Sequence, residues 1–116
     1  MKPALFLGSL SLLAVVGCGT APPRIGEGLN GPVREIPAAF DQRMKTRFPV
    51  GSDETPLHSE LAREKFTITR DKDSPFSFSA SYQSGGIACV YQWTIRWSVY
   101  EGRIADIGGY WGQTCL

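Results

Sequence analysis

The stretch Cys89-Val90-Tyr91-Gln92-Trp93-Thr94-Ile95-Arg96-Trp97-Ser98-Val99-Tyr100 decides the fold. Its odd positions carry Cys89, Tyr91, Trp93, Ile95, Trp97 and Val99; its even positions carry Gln92, Thr94, Arg96 and Ser98 among others. Alternate residues of a strand point to opposite faces, so this period of two predicts a long strand with one aromatic, buried face and one wet face. Glu101-Gly102 follows, an acidic-Gly pair suited to a two-residue hairpin turn. Such a turn sets Tyr100 opposite Arg103 and Val99 opposite Ile104. Continued unbroken, the same register would set Ile107 against Arg96, on the wrong face, because a one-residue slip flips every side chain. A single bulge near Ala105-Asp106 removes the conflict. Ile107 then meets Trp97, Gly109 meets Ile95, Trp111 meets Trp93 and Cys115 meets Cys89.

Working backwards, Phe76, Phe78, Ala80 and Tyr82 alternate with Ser77, Ser79 and Ser81, a second one-sided strand. A turn at Gln83-Ser84-Gly85-Gly86 would set Ala80 opposite Cys89, Phe78 opposite Tyr91 and Phe76 opposite Trp93. Phe66 and Ile68 alternate with Thr67 and Thr69, ahead of a polar turn at Asp71-Lys72-Asp73-Ser74-Pro75. Further back the period becomes helical. Ile36, Phe40, Met44 and Phe48 recur at four-residue spacing over residues 36–48, with Pro37 in the first turn and Pro49 and Gly51 as stops. Thr55-Pro56 announces a second short helix, with Thr55 as its N-cap. Leu57 and Leu61 form its apolar stripe, Glu60, Glu64 and Lys65 its wet side, and it ends near Lys65. The expected fold is α+β: two short N-terminal helices packed on one face of a four-stranded antiparallel meander, as one domain over residues 36–116.

The N-terminus reads differently. Met1-Lys2-Pro3 is a basic start, and Ala4 to Val16 is uncharged and mostly apolar. That run is short of the roughly 20 apolar residues of a membrane-spanning helix and suits the apolar region of an export signal. It ends in Val15-Val16-Gly17-Cys18, which resembles the lipobox of bacterial lipoproteins. The resemblance implies a signal peptide at residues 1–17, cut before Cys18, and a diacylglycerol on the Cys18 thiol, usually with an acylated new N-terminus. Two or three acyl chains anchor firmly where one does not. Gly19, rather than Asp, at the second mature position implies the periplasmic face of the outer membrane rather than inner-membrane retention. Residues 19–34 hold four Gly and three Pro in sixteen positions, so residues 18–35 are expected to be the lipidated Cys and a flexible tether.

The 116 residues carry 12 Lys+Arg, 11 Asp+Glu and one His. Removal of residues 1–17 takes Lys2 and leaves 99 residues with 11 basic and 11 acidic side chains. A neutral chain has no electrostatic footprint for nucleic acid. With Cys18 lipidated, two of the three cysteines remain, and in an oxidising compartment Cys89 and Cys115 are expected to pair. No CxxC pair is present, and two cysteines with one distant His do not make a zinc site. His58 lies in the first turn of the second helix and reads as an exposed residue. The serines 77, 79 and 81 fall on a wet strand face, Asp71 and Asp73 in a turn too poor in ligands for calcium, and Gly85-Gly86 and Gly108-Gly109 outside any phosphate-loop context. No cofactor, metal or catalytic residue is assigned. Tyr91, Trp93, Trp97 and Trp111 suit a core better than a ligand platform, whereas Arg96, Tyr100 and Tyr110 fall on the opposite, exposed face.

Two helices, a meander and a tethered lipoprotein start also resemble, in layout over about residues 36–114, the small SmpA/OmlA-type outer-membrane lipoproteins that assist β-barrel assembly. Val50-Gly51-Ser52-Asp53-Glu54-Thr55 is similar to their Gly-then-polar helix start. Four strands instead of three, and the lack of Leu-Gly-x-Pro after the second helix, depart from that pattern. The expected function is a non-enzymatic, lipid-anchored binding or assembly module of the cell envelope, held to the membrane through Cys18 and meeting an envelope protein partner. The alternative is a periplasmic immunity or inhibitor lipoprotein that neutralises a toxin or hydrolase.

Overall fold

The computed structural model describes residues 21–116; the expected leader at 1–17, Cys18 and Gly19 lie outside the described residues. Two helices, α1 (Ile36–Arg47) and α2 (Thr55–Arg63), precede four strands, β1 (Thr67–Arg70), β2 (Ser77–Gly85), β3 (Cys89–Tyr100) and β4 (Arg103–Cys115). The strands form one antiparallel sheet in the order β1-β2-β3-β4. Among the described residues no helix is long and apolar enough to cross a membrane.

The β3–β4 pairing follows the side-chain arithmetic. Tyr100 pairs with Arg103 and Val99 with Ile104; the register then shifts, leaving Ala105 without a partner, and Ser98 meets Asp106 and Trp97 meets Ile107. Glu101 and Gly102 both adopt positive φ, 52° and 78°, as the tight hairpin turn requires. Beyond the bulge Trp93 faces Trp111 and Cys89 faces Cys115, and the two cysteines form a disulfide. Trp93, Ile95 and Trp97 are buried, while Arg96 and Tyr100 are exposed.

The β2–β3 register differs from expectation. Ala80 pairs with Ile95 and Phe78 with Trp97, and the last pair is Gly85 with Val90. The turn therefore lies three positions later than Gln83–Gly86, closed by the Gly86 amide donating to the Cys89 carbonyl at 3.0 Å. The displacement is even in register, so the aromatic face of β2 is kept. Phe76, expected opposite Trp93, lies before β2 and is 66% exposed. Extending β2 to Gly85 brings Ser84 beneath Trp93, whose indole Nε1–H donates to Ser84 Oγ at 3.0 Å. That bond satisfies a buried donor, which the expected turn would have left to solvent.

α1 buries Phe40 and Met44. Phe40 meets Trp93 edge-on with ring centres 5.1 Å apart, and the Met44 side chain approaches β4 where Gly109 leaves room; a Cβ there would stand 2.9 Å from Met44 Cγ. In α2, Leu57 and Leu61 are fully buried. Thr55 is the first helical residue rather than the cap, and Asp53 Oδ1 accepts its amide hydrogen bond at 3.0 Å. α2 ends through Lys65 at φ 70°, which turns the chain so that Phe66 is buried.

The expected flexible tether is corrected over much of its length. Residues Arg24–Gly26 and Val33–Glu35 form short 3-10 turns, and Ile25 is fully buried in the core cluster. Pro and Gly exclude a long helix here but not a single tight turn. Gly26 lies so close to Trp93 that a Cβ would stand 2.3 Å from its ring. Arg43 of α1 donates to the Ile25 and Glu27 carbonyls, and Glu64, the residue that caps the C-terminus of α2, accepts from the Ile25 amide at 2.9 Å. The folded domain thus begins ahead of residue 36, and Glu64, expected on the wet side of α2, is buried.

Candidate binding groove

Packing of the N-terminal segment against the sheet leaves a groove of about 390 Å³ at the Cys89–Cys115 end. Its floor is Tyr91, Trp93 and Trp111, with Ser84 and Gln113; its wall is Gly26, Leu29, Val33 and Ile36. Tyr91 and Trp111 are stacked, 5.7 Å between ring centres at 16°, and Trp111 meets Trp93 edge-on at 6.2 Å. Val33 is 47% exposed and Trp111 half-buried, so apolar surface remains open to solvent here. No lining residue of this groove is charged. The shape and neutrality suit an uncharged, partly apolar ligand.

A second, polar hollow of about 590 Å³ lies on the wet side of the sheet. Arg96, Ser77, Ser79, Ser98, Asp106 and Tyr110 line it, with Lys45 at its rim. Two of its cations are engaged. The Arg96 guanidinium lies over the Tyr110 ring at 5.2 Å, and Lys45 pairs with Asp41 at 2.5 Å. Lys45 first, and then the Gly109 amide, hold the Asp41 carboxyl below its ordinary range. The structure therefore joins Arg96 with Tyr110, whereas Tyr100 is exposed at the hairpin and does not line the hollow.

The remaining sequence candidates stay apart. His58 is exposed, with its ring 6.5 Å from Phe78 and no nucleophile bonded to it. Asp71 Oδ1 accepts the Asp73 amide, an ordinary turn bond. Among the described residues no group of three or more His, Cys, Asp and Glu side chains is placed to hold a metal ion. Trp97 belongs to the core, Trp93 and Trp111 serve both the core and the groove floor, and half-buried Tyr91 lines the groove.

The buried carboxyl of Glu64 has no counterpart in the sequence reading. Burial, then hydrogen bonding to the Glu60 carboxyl, push Glu64 up to about 7. Glu60 is held below its ordinary value, by that same bond first and by Arg63, whose guanidinium lies 2.7 Å away. With both carboxyls ionised, Glu64 Oε2 is a buried acceptor without a partner. A proton on it turns it into a donor toward Glu60. The pair sits beneath the turn that carries Ile25, so it fastens the groove wall to α2. No protein-family model matches the chain, and neither does a curated protein or a solved structure.

Proposed function

We propose that the chain is a lipid-anchored protein of the bacterial cell envelope that binds a partner and does not transform a substrate. The observation that carries this reading is a juxtaposition. The lipobox-like Val15-Val16-Gly17-Cys18 lies four residues before Pro22, itself part of the groove lining. A neutral aromatic groove would then stand within about 14 Å of contour length of the anchor. In this reading the two helices form one layer over the aromatic face of the sheet, and the groove is where that layer stops. Gly19 at the second mature position favours the periplasmic face of the outer membrane. Neither hollow holds a nucleophile bonded to a base, and in the polar hollow Arg96 lies over the Tyr110 ring and Lys45 pairs with Asp41, which suits binding over catalysis. The test is the location of a Cys18→Ser variant. It is expected to leave the membrane fraction or to accumulate as an uncut precursor; a processed form still in the membrane fraction would refute lipid anchoring.

A further inference from the structure

The two edges of the sheet are treated very differently. β1 is only four residues long and ends in Arg70, two of the ordinary defences of an edge strand. β4 runs thirteen residues, and its first part is covered by the chain itself. The Gly51 amide donates to the Ile104 carbonyl at 2.8 Å, the Ile104 amide donates to Ser52 at 2.8 Å, and the Glu54 amide donates to Gly102 at 3.0 Å. Further along, the Gly109 amide donates to Asp41 Oδ1 at 2.9 Å. Outward-facing backbone groups recur every second residue, so the set that includes Gly109 continues at Trp111, Gln113 and Cys115. Among the described residues nothing pairs with those three on the outer side. The segment Tyr110-Trp111-Gly112-Gln113-Thr114-Cys115 holds no charge and no proline, and it is exposed apart from half-buried Trp111.

We infer that residues 111–115 of β4 accept an extended peptide as a fifth strand, with its alternate apolar side chains entering the Tyr91–Trp111 groove. The inference rests on the binding-module reading above and names the partner's chemistry. An added strand gains affinity from main-chain hydrogen bonds and specificity from a pocket for alternate side chains. The groove lies on the aromatic side of this same edge, sharing Trp111 and Gln113 with it. On the other side the strand would meet exposed Tyr110, Gly112 and Thr114, so polar residues belong there. With no charged residue on the groove or the bare edge, a charged segment would lose hydration without gaining a partner, and the peptide is an uncharged one with alternating polar and apolar residues. Upstream, the same edge already takes main-chain hydrogen bonds from another segment, the turn Gly51–Glu54, through an isolated bridge between Asp53 and Arg103.

The test uses the full chain purified in detergent and the blocked peptide Thr-Leu-Thr-Val-Thr-Leu-Thr. Binding is expected to slow amide exchange at Trp111, Gln113 and Cys115 by about tenfold or more. Two copies of the peptide, methylated on complementary sets of alternate amides, are expected to differ: one binds and the other does not. Lys in place of the three apolar residues is expected to abolish binding. Gln113→Pro, which removes an outward N–H without touching the ladder to β3, is expected to lose the peptide while Gln113→Thr keeps it. If the proline variant does not fold, the methylated pair decides. Equal binding of both methylated peptides overturns the inference and leaves a binding groove standing. No binding by the parent peptide overturns it, as does protection of the three amides by raised protein concentration alone, which would make the occupant a second copy. The intact mass of the same preparation reports the Cys18 lipid separately.

Discussion

Replacing Glu64 by Gln should make the protein less sensitive to pH and more stable near neutrality. Glu64 is 8% exposed, its Oε1 holds the Ile25 amide, and burial followed by the Glu60 carboxyl raises it from 4.5 to about 7. A raised carboxyl favours the folded state while it is protonated. Below pH 4.5 it is protonated in both states, and its contribution does not change. As pH rises from 4.5 towards 7 the unfolded chain releases its proton first, so it binds fewer protons than the folded one and stability falls. Above about 7 both states are ionised and the loss is complete. At 1.36 kcal/mol per pKa unit, the full loss from this one group is about 3 kcal/mol. Glutamine cannot ionise; its carbonyl can still accept from Ile25 and its amide can donate to Glu60. Denaturant unfolding of both proteins at several pH values between 4.5 and 7 measures the difference. Glu64→Gln should gain on the parent as pH rises, by about 2–3 kcal/mol across the window. A difference that stays flat with pH, or grows in the acid direction, would refute the assignment of the buried proton to Glu64.

Other expectations follow from packing. Trp97→Ala empties a site that is 2% exposed, takes away the indole bond to Glu54, and should cost about 3–5 kcal/mol in unfolding free energy, whereas Ser98→Ala on the other face should shift it by about 0.5 kcal/mol. Gly26→Ala places a Cβ 2.3 Å from the Trp93 ring and should cost at least about 1–3 kcal/mol, read as a lowered melting temperature. Paired Cys89→Ala and Cys115→Ala changes open a link between residues 26 positions apart and should cost about 3–4 kcal/mol on the chain-entropy model, equally visible when the parent is melted with and without reductant.

What could be read from the sequence depended on whether two constraints competed at one position. The β-bulge was legible because Ile104 and Ile107 cannot both face the core in an unbroken hairpin, and only an extra residue between them resolves it. The β2–β3 turn was not, because Gln83–Gly86 and a loop three positions later give the same faces. The choice falls on Ser84 reaching Trp93 and on Gly85 at φ 113°, neither of which is a periodic signal. Phe76 was assigned to the core by alternation alone and lies outside the strand that would have placed it there. The N-terminal segment misled through averaging. Its Gly and Pro content describes residues 19–34 as a whole, but Ile25 and Gly26 alone determine that part of it packs. Glu64 followed from the same error, since it lies on the outer side of α2 only as long as nothing is laid over it. The groove was half legible: Tyr91 and Trp111 were identified as aromatic-face residues, while Leu29, Val33 and Ile36 complete it only because the segment before α1 folds back.

We propose a folded domain, closed by the Cys89–Cys115 disulfide, that is anchored by lipid at Cys18. Intact-mass and peptide-mass analysis of the full chain, expressed in a bacterium and recovered from membranes without reductant, tests it most directly. A mature chain that begins at Cys18, carries acyl-glyceryl mass on that residue and joins Cys89 to Cys115 is the predicted result. A chain that retains Met1 or is cut elsewhere, with an unmodified Cys18, would contradict it.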